Sequence, residues 1–264
     1  MNRIDAVFAR LRRQNGKALI TYLTVGFPSL RALPGIVDLL VGEGVDLLEL
    51  GIPFSDPLAD GPTIQAASQW ALRQGVTVRR VFEAVRGLRR RHRDLPIGLM
   101  TYYNPVSRFG VKNFCRACAR EEVDGLIVPD LPPEEAGDLL KAARSSRIDT
   151  IFLAAPTSPK SRLRQIARSS RGFIYYVSLT GVTGARASLP GQMQDDVRSI
   201  KRMTRLPVCV GFGISGPAQV RQVVRVADGA IIGSALLNAI GRSSRNSWKP
   251  VASFIRPLRA ACHA

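Results

Sequence analysis

Eight short apolar runs recur along the chain: "ALITYLTV" at 18–25, "DLLELGI" at 46–52, "PIGLMTY" at 96–102, "DGLIVPD" at 124–130, "DTIFLA" at 149–154, "FIYYVS" at 173–178, "PVCVGFG" at 207–213 and "DGAIIGS" at 228–234. They are rich in β-forming residues and mostly lack in-out alternation, which predicts strands buried on both faces, as in a parallel sheet. Between them lie segments with apolar residues at helical spacing, among them "LRALPGIVDLLVGEG", "TVRRVFEAVRGLRRR" and "SGPAQVRQVVRVA". Eight strands alternating with helices predict an α/β fold, a (β/α)8 TIM barrel. The doubly wound sheet is the competing arrangement, but it usually has fewer strands, and no GxGxxG follows the first run. No linker rich in Gly, Ser or Pro breaks the alternation, so residues 1–264 are expected to form a single barrel domain.

Composition agrees with a folded chain: 45% of the 264 residues are hydrophobic and 22% charged, enough for a sizeable core. No apolar run approaches the roughly 20 residues needed to cross a bilayer, and "MNRIDAVFARLRRQNGK" lacks the apolar centre of a secretory signal. A cytoplasmic protein is expected. The four cysteines form no disulfide framework, and Cys115 and Cys118 share a helical segment, so reduced thiols are expected rather than a metal or redox pair. Lys and Arg outnumber Asp and Glu by 38 to 20, a net charge of +18. A patch such as "RGLRRRHRD" could meet phosphates by electrostatics alone. The basic residues are nevertheless spread over most predicted helices, with no nucleic-acid motif and no interleaved aromatics, so a solvated basic surface is expected rather than a nucleic-acid binder.

In a (β/α)8 barrel the working groups sit at the C-terminal ends of the strands and in the loops that follow. By that rule Glu49 closes the second strand and Asp60 lies in the loop after it. Tyr102 follows the third strand and Asp130 the fourth, while Tyr175 lies on the sixth and "TGVTGA" (180–185) follows it. The seventh and eighth strands end in "GFGIS" and "GSALL". Glycines and small hydroxyl residues at helix starts leave backbone N–H groups free, and the helix dipole favours an anion there, so a phosphate is expected near Gly213, Gly233 and Ser234, with Gly184 close by. Glycine also serves such turns for purely conformational reasons.

Only two histidines are present, His92 in a basic helical run and His263 beside the C-terminus, which argues against histidine catalysis, a Ser-His-Asp triad and most metal sites. Acid–base work then falls to carboxylates and tyrosines. A glutamate in an apolar strand loses solvation when charged, which raises its pKa toward neutrality. Glu49 is the leading candidate, and residues 44–72 contain no basic side chain that would simply pair with it. Asp60 sits in a "DG" pair, which is also an ordinary turn signature.

The run "LELGIPFSDPLADGPTIQ" at 48–65, with "YYNPV" (102–106), "DGLIVPDLPPEE" (124–135), "GVTGA" (181–185), "GFGIS" (211–215) and "GSAL" (233–236), resembles the tryptophan synthase alpha chain over nearly the whole length. The resemblance implies a TIM-barrel lyase that splits indole-3-glycerol phosphate by a retro-aldol step into indole and glyceraldehyde 3-phosphate. It implies no cofactor in this chain. The expected partner is a beta chain that carries pyridoxal phosphate and receives the indole, in an α2β2 tetramer.

Carried onto this sequence, the resemblance makes Glu49 the group that protonates the indole carbon and takes the glycerol hydroxyl proton. Asp60 would hold the indole N–H, and Tyr175 would complete the catalytic set. Tyr22, Met100, Tyr102, Pro129, Leu153, Tyr175 and Ile231 would form an apolar slot for the ring, although Leu153 and Met100 also suit plain barrel core. Gly184, Gly213, Gly233 and Ser234 match phosphate-binding turns, and Asp56 and Pro57 match positions that approach the beta chain. The net charge implies either an acidic beta chain or basic helices that face away from it. Two other classes compete: another phosphate-binding (β/α)8 enzyme, whose usual lysine or paired aspartates at strand ends are not found here, and a basic RNA binder on a barrel scaffold.

Overall fold

The computed structural model describes residues 2–177, 190–211, 213–243 and 247–262. Nine strand segments, all parallel, occur among them: β1 (Ala18–Thr24), β2 (Leu47–Gly51), β3 (Ile97–Met100), β4 (Gly125–Ile127), β5 (Asp149–Ile151), β6 (Leu153–Ala154), β7 (Ile174–Val177), β8 (Val208–Gly211) and β9 (Gly229–Ile232). They form one sheet in the order β5-β4-β3-β2-β1-β9-β8-β7-β6. The expected fifth strand, 149–154, is thus two short pieces that part at Phe152. The first piece pairs with β4 and the second with β7. Because β5 and β6 are one continuous stretch of chain, this break joins the two ends of the sheet and makes it a barrel.

Among the described residues twelve helices accompany the strands: α1 (Arg3–Arg13), α2 (Leu33–Gly42), α3 (Pro62–Arg73), α4 (Val78–Arg91), α5 (Tyr103–Phe109), α6 (Val111–Arg120), α7 (Gly137–Ser145), α8 (Lys160–Ser169), α9 (Pro190–Met203), α10 (Pro217–Val224), α11 (Ser234–Gly241) and α12 (Lys249–Ala261). Strand residues are almost all buried, the burial that non-alternating apolar runs require.

The first helix has no counterpart in the strand–helix alternation. Asn2 caps it, its side chain accepting the Ile4 N–H at 3.0 Å, and Ile4, Val7, Phe8 and Leu11 form its buried stripe at helical spacing. Ile4 lies under the barrel floor: a Cβ placed on Gly125 would meet its Cδ1 at 3.0 Å, and one on Gly172 its Cγ2 at 3.2 Å. Glycines at both positions let the helix approach and close the N-terminal end. Burial of Ile4 and Phe8 contributes about 1.5–3 kcal/mol each.

That same end absorbs part of the positive charge. Asp46, Asp124 and Asp228 each precede a strand and accept a backbone N–H from the start of its neighbour: Leu19 at 3.0 Å, Ile97 at 2.8 Å and Val208 at 2.9 Å. Each also meets cations, Asp46 with Arg10 and Arg259, Asp124 with Arg3 and Arg89, and Asp228 with Lys17 and Lys201. Asp149 begins β5 at the equivalent height, but its Oδ2 has no hydrogen-bond partner among the described residues, and burial lifts its pKa to about 7. Of the cysteines, Cys115 and Cys118 are buried on α6 as free thiols, and burial pushes Cys115 up to about 11.

Candidate active site

Glu49 occupies the middle of β2, paired in register with Tyr22 on β1 and with Gly98 on β3. It is fully buried, and neither carboxylate oxygen has a hydrogen-bond partner among the described residues. Nothing offsets the lost hydration, so its pKa rises to about 8, with burial as the cause. The rings of Tyr22 and Tyr175 are close enough to feel its charge, as is Cys209. The carboxyl therefore lies on the barrel interior and is predominantly protonated at neutral pH.

Asp60 is held by its backbone: its N–H donates to the Pro57 carbonyl at 3.1 Å and its own carbonyl accepts from Gln65 Nε2 at 2.8 Å. Gly61 follows as the N-cap of α3, with Pro62 in the first turn, where proline's fixed φ suits a helix start. Burial raises the Asp60 pKa to about 6, opposed by the Tyr102 hydroxyl. That hydroxyl also accepts the Ala59 N–H at 2.9 Å, and the Tyr102 ring stacks on Phe54 with centroids 5.3 Å apart. Tyr102 thus braces the loop that carries Asp60. At neutral pH Asp60 is predominantly ionised and Glu49 predominantly not, a separation of two carboxylates that assigns base-like and acid-like states to different groups.

A cavity of about 300 Å³ opens at this end of the barrel, within the range of small-ligand sites. Of the residues singled out from the sequence, it is lined by Tyr22, Asp60, Met100, Tyr175, Ile231, Gly213, Gly233 and Ser234. Glu49, Tyr102, Pro129 and Leu153 do not line it. Tyr102 turns to the loop, Pro129 is half-buried in the turn after β4, and Leu153 is half-buried on β6 beside Tyr175. Gly184 lies outside the described residues. Asp130 is exposed and accepts the Tyr103 N–H at 2.9 Å, which fixes the start of α5. Asp56 is exposed and Pro57 buried, while Leu58 beside them is 92% exposed.

The cavity also takes in Thr63, Ile64, Ile214, Ser215, Ala235 and Asn238. Asn238 stands four residues after Ser234 on α11 and so shares its face, a periodicity visible in the sequence. Thr63 and Ile64 follow from the proline that starts α3. Among the described residues no group of three or more His, Cys, Asp or Glu could hold a metal ion, and His92 is engaged with Asp38 at 2.8 Å. A larger hollow of about 700 Å³ on the flank, bounded by Lys112, Arg116, Asp138 and Lys141, lies between α6 and α7, away from the strand ends.

A parallel barrel with one carboxylate on a cavity wall, a second buried beside the tyrosines that line it, and glycine–serine turns at helix starts in the same lining defines an acid–base enzyme of the (β/α)8 class. Residues 8–261 match the family model described as tryptophan synthase alpha chain. The tryptophan synthase alpha chain of Chloroflexus aurantiacus is 48% identical over 262 residues, covering 99% of this chain and 98% of that one. The crystal structure of tryptophan synthase subunit alpha from Legionella pneumophila superposes with a TM-score of 0.92 at 35% identity, covering 99% of this chain and 98% of that one. A chain in a Mycobacterium tuberculosis tryptophan synthase structure gives a TM-score of 0.91 at 40% identity, over 100% and 99%. The chain belongs to the tryptophan synthase alpha chain family, lyases that cleave indole-3-glycerol phosphate in tryptophan biosynthesis.

Proposed function

We propose that Glu49 and Asp60 divide the retro-aldol cleavage of indole-3-glycerol phosphate between them. An aromatic carbon is a poor leaving group until it is protonated. Glu49, protonated at neutral pH, delivers that proton to indole C3. The positive charge this creates spreads to the ring nitrogen, where ionised Asp60 holds the N–H and stabilises it. The Glu49 carboxylate then takes the proton of the glycerol hydroxyl. The bond from C3 to the glycerol chain breaks, its electrons restore the indole ring, and the oxygen left behind becomes the aldehyde of glyceraldehyde 3-phosphate. Glu49 ends protonated, as it began.

Tyr22, Met100, Tyr175 and Ile231 give the ring an apolar wall, and the turns at Gly213 and at Gly233–Ser234 receive the phosphate on backbone N–H groups. Tyr175 packs the ring against the carboxyl it acts with, and Tyr102 steadies Asp60. The observation that carries the reading is the separation of the two carboxylates, Asp60 at about 6 on the cavity wall and Glu49 at about 8, buried beside the Tyr22 and Tyr175 that line it.

The product indole passes to a beta chain that supplies pyridoxal phosphate, in an α2β2 tetramer in the cytoplasm; this chain brings no cofactor of its own. The exposed loop of Asp56 and Leu58 fits such a contact, and among the described residues no helix is long and apolar enough to cross a membrane. The test is release of indole from indole-3-glycerol phosphate by the purified chain, with and without a beta chain. Glu49→Gln and Asp60→Asn should each abolish most of it; retention of wild-type turnover in both would refute the division of roles.

A further inference from the structure

The turn that leaves β8 starts from Gly213, whose φ of +73° is in the left-handed region that favours glycine. It enters α10 at Pro217 with Gly216 as N-cap. The third residue of α10, Gln219, reaches back over this turn. Its Oε1 accepts both the Ser215 backbone N–H at 2.8 Å and the Ser215 hydroxyl at 3.0 Å, and its Nε2 donates to the Gly213 carbonyl at 3.1 Å. One amide side chain thus holds both ends of the turn, using donor and acceptor together. Gln219 is absent from the cavity lining, whereas Gly213, Ile214 and Ser215 belong to it.

The consequence follows from peptide geometry. In a trans peptide the carbonyl of one residue and the N–H of the next point in opposite directions. With the Gly213 carbonyl held toward α10, the Ile214 N–H is turned away from that helix. The Gly213 and Ile214 N–H groups have no hydrogen-bond partner among the described residues. Gly233 and Ser234, at the head of α11 after the neighbouring strand β9, line the same cavity. The clamp also keeps a carbonyl oxygen from swinging toward a bound anion.

We propose that Gln219 is a positioning residue for the phosphate end of the site, fixing the peptide between Gly213 and Ile214 in the orientation that offers its N–H to a phosphate oxygen. This rests on the reading of the 213–215 and 233–234 turns as the phosphate site. Gln219 acts from outside the cavity and touches no reacting atom, so its removal weakens phosphate binding and leaves the chemical step in place.

The experiment measures competitive inhibition of indole release by glycerol 3-phosphate, by inorganic phosphate and by a phosphate-free indole analogue, in wild type, Gln219→Ala, Gln219→Glu and Gly233→Val. Loss of the amide clamp removes hydrogen bonds that each contribute modestly in water, so Gln219→Ala should raise KM and both phosphate inhibition constants by about two- to tenfold. Its kcat should stay within about twofold, and indole-analogue inhibition should not change. Gln219→Glu still accepts from Ser215, and a carboxylate in the first turn of a helix favours folding. It cannot donate to Gly213, so its melting temperature should match or exceed wild type while phosphate affinity falls at least as far as in the alanine variant. Unchanged phosphate inhibition in both variants, or equal loss for phosphate and indole ligands, overturns the role of Gln219. If wild type is not inhibited by either phosphate ligand, or Gly233→Val leaves that inhibition intact, the phosphate reading itself fails and this inference fails with it.

Discussion

The Tyr22 side chain lies directly over Gly51, so that a Cβ built on the glycine would overlap the tyrosine hydroxyl and stand 2.8 Å from Cε2. Tyr22 pairs in register with Glu49, so its ring leans two residues up the neighbouring strand and covers the backbone there. The same relation recurs between Tyr175, paired with Cys209, and Gly211, where a Cβ would stand 2.7 Å from the tyrosine Cε1. Two cavity-lining rings therefore depend on a missing side chain on the next strand.

Gly51→Ala should force the Tyr22 ring into the cavity, raising KM for indole-3-glycerol phosphate by tenfold or more and destabilising the fold by about 1–3 kcal/mol, as overpacking does. Replacing Tyr22 by leucine in the same chain removes the clashing atoms and should recover most of the stability. Thermal unfolding of the two variants checks this, and an unperturbed Gly51→Ala protein would show that the ring has room elsewhere.

The pH dependence of kcat/KM should be bell-shaped. In the proposed division of roles Asp60 is ionised to hold the indole N–H and Glu49 protonated to deliver its proton, so activity should rise through about 6 and fall through about 8. Asp60→Asn should lose the acidic limb while keeping the alkaline one. A profile flat between pH 5 and 9 would contradict these protonation states.

Glu49→Gln should lower cleavage by roughly 10²–10⁴-fold and at the same time stabilise the protein at alkaline pH. The native carboxyl titrates at about 8, well above the unfolded value of about 4.3. The native state therefore binds more protons between those values, and wild-type stability falls as pH rises from about 4 to about 8, then levels. The amide carries no such penalty. Melting curves at pH 5 and pH 8.5 should show the variant gaining on wild type at the higher pH; a gap that does not widen would mean the carboxyl is solvated or paired.

Gly233→Val should raise KM for the phosphorylated substrate far more than it alters inhibition by a phosphate-free indole analogue. A Cβ at Gly233 has only ordinary contacts, 3.7 Å or more from Tyr22 and Ile64, so the variant should fold. Gly213→Val is a poorer probe, because a β-branched residue is strained at φ +73°. Equal loss for both ligands in Gly233→Val would move the phosphate elsewhere.

Docking of a beta chain should restrict the loop between β2 and α3, which carries exposed Asp56 and Leu58 beside Asp60. We expect the isolated chain to be a weak catalyst and the beta chain to raise its rate at least about tenfold, equivalent to about 1.4 kcal/mol of barrier. Asp56→Ala should erode the activation more than the basal rate. Indole formation by wild type and Asp56→Ala, each with and without the beta chain, decides it; proportional loss of both rates would remove the coupling role.

The strands were legible because burial on both faces writes a non-alternating apolar run directly into the chain. Glu49 was legible for the same reason, as the one carboxylate inside such a run, and the glycine–serine turns at 211–215 and 233–236 carry locally the residue types on which the phosphate expectation rests. The spacing of Ser234 and Asn238 also lay in the sequence, unread. What could not be read there depends on contacts between distant parts of the chain. The break at Phe152 closes the barrel only because β4 and β7 stand on either side of it, and the N-terminal helix is a floor only because Gly125 and Gly172 leave it room. Tyr102 sits at a strand end like the other ring-lining candidates, yet its hydroxyl meets Ala59, 43 residues away. Local patterning sets which segments become strands and which carboxylate loses its water; the direction in which a tyrosine leans, or a peptide turns, follows from long-range packing that no short window of sequence contains.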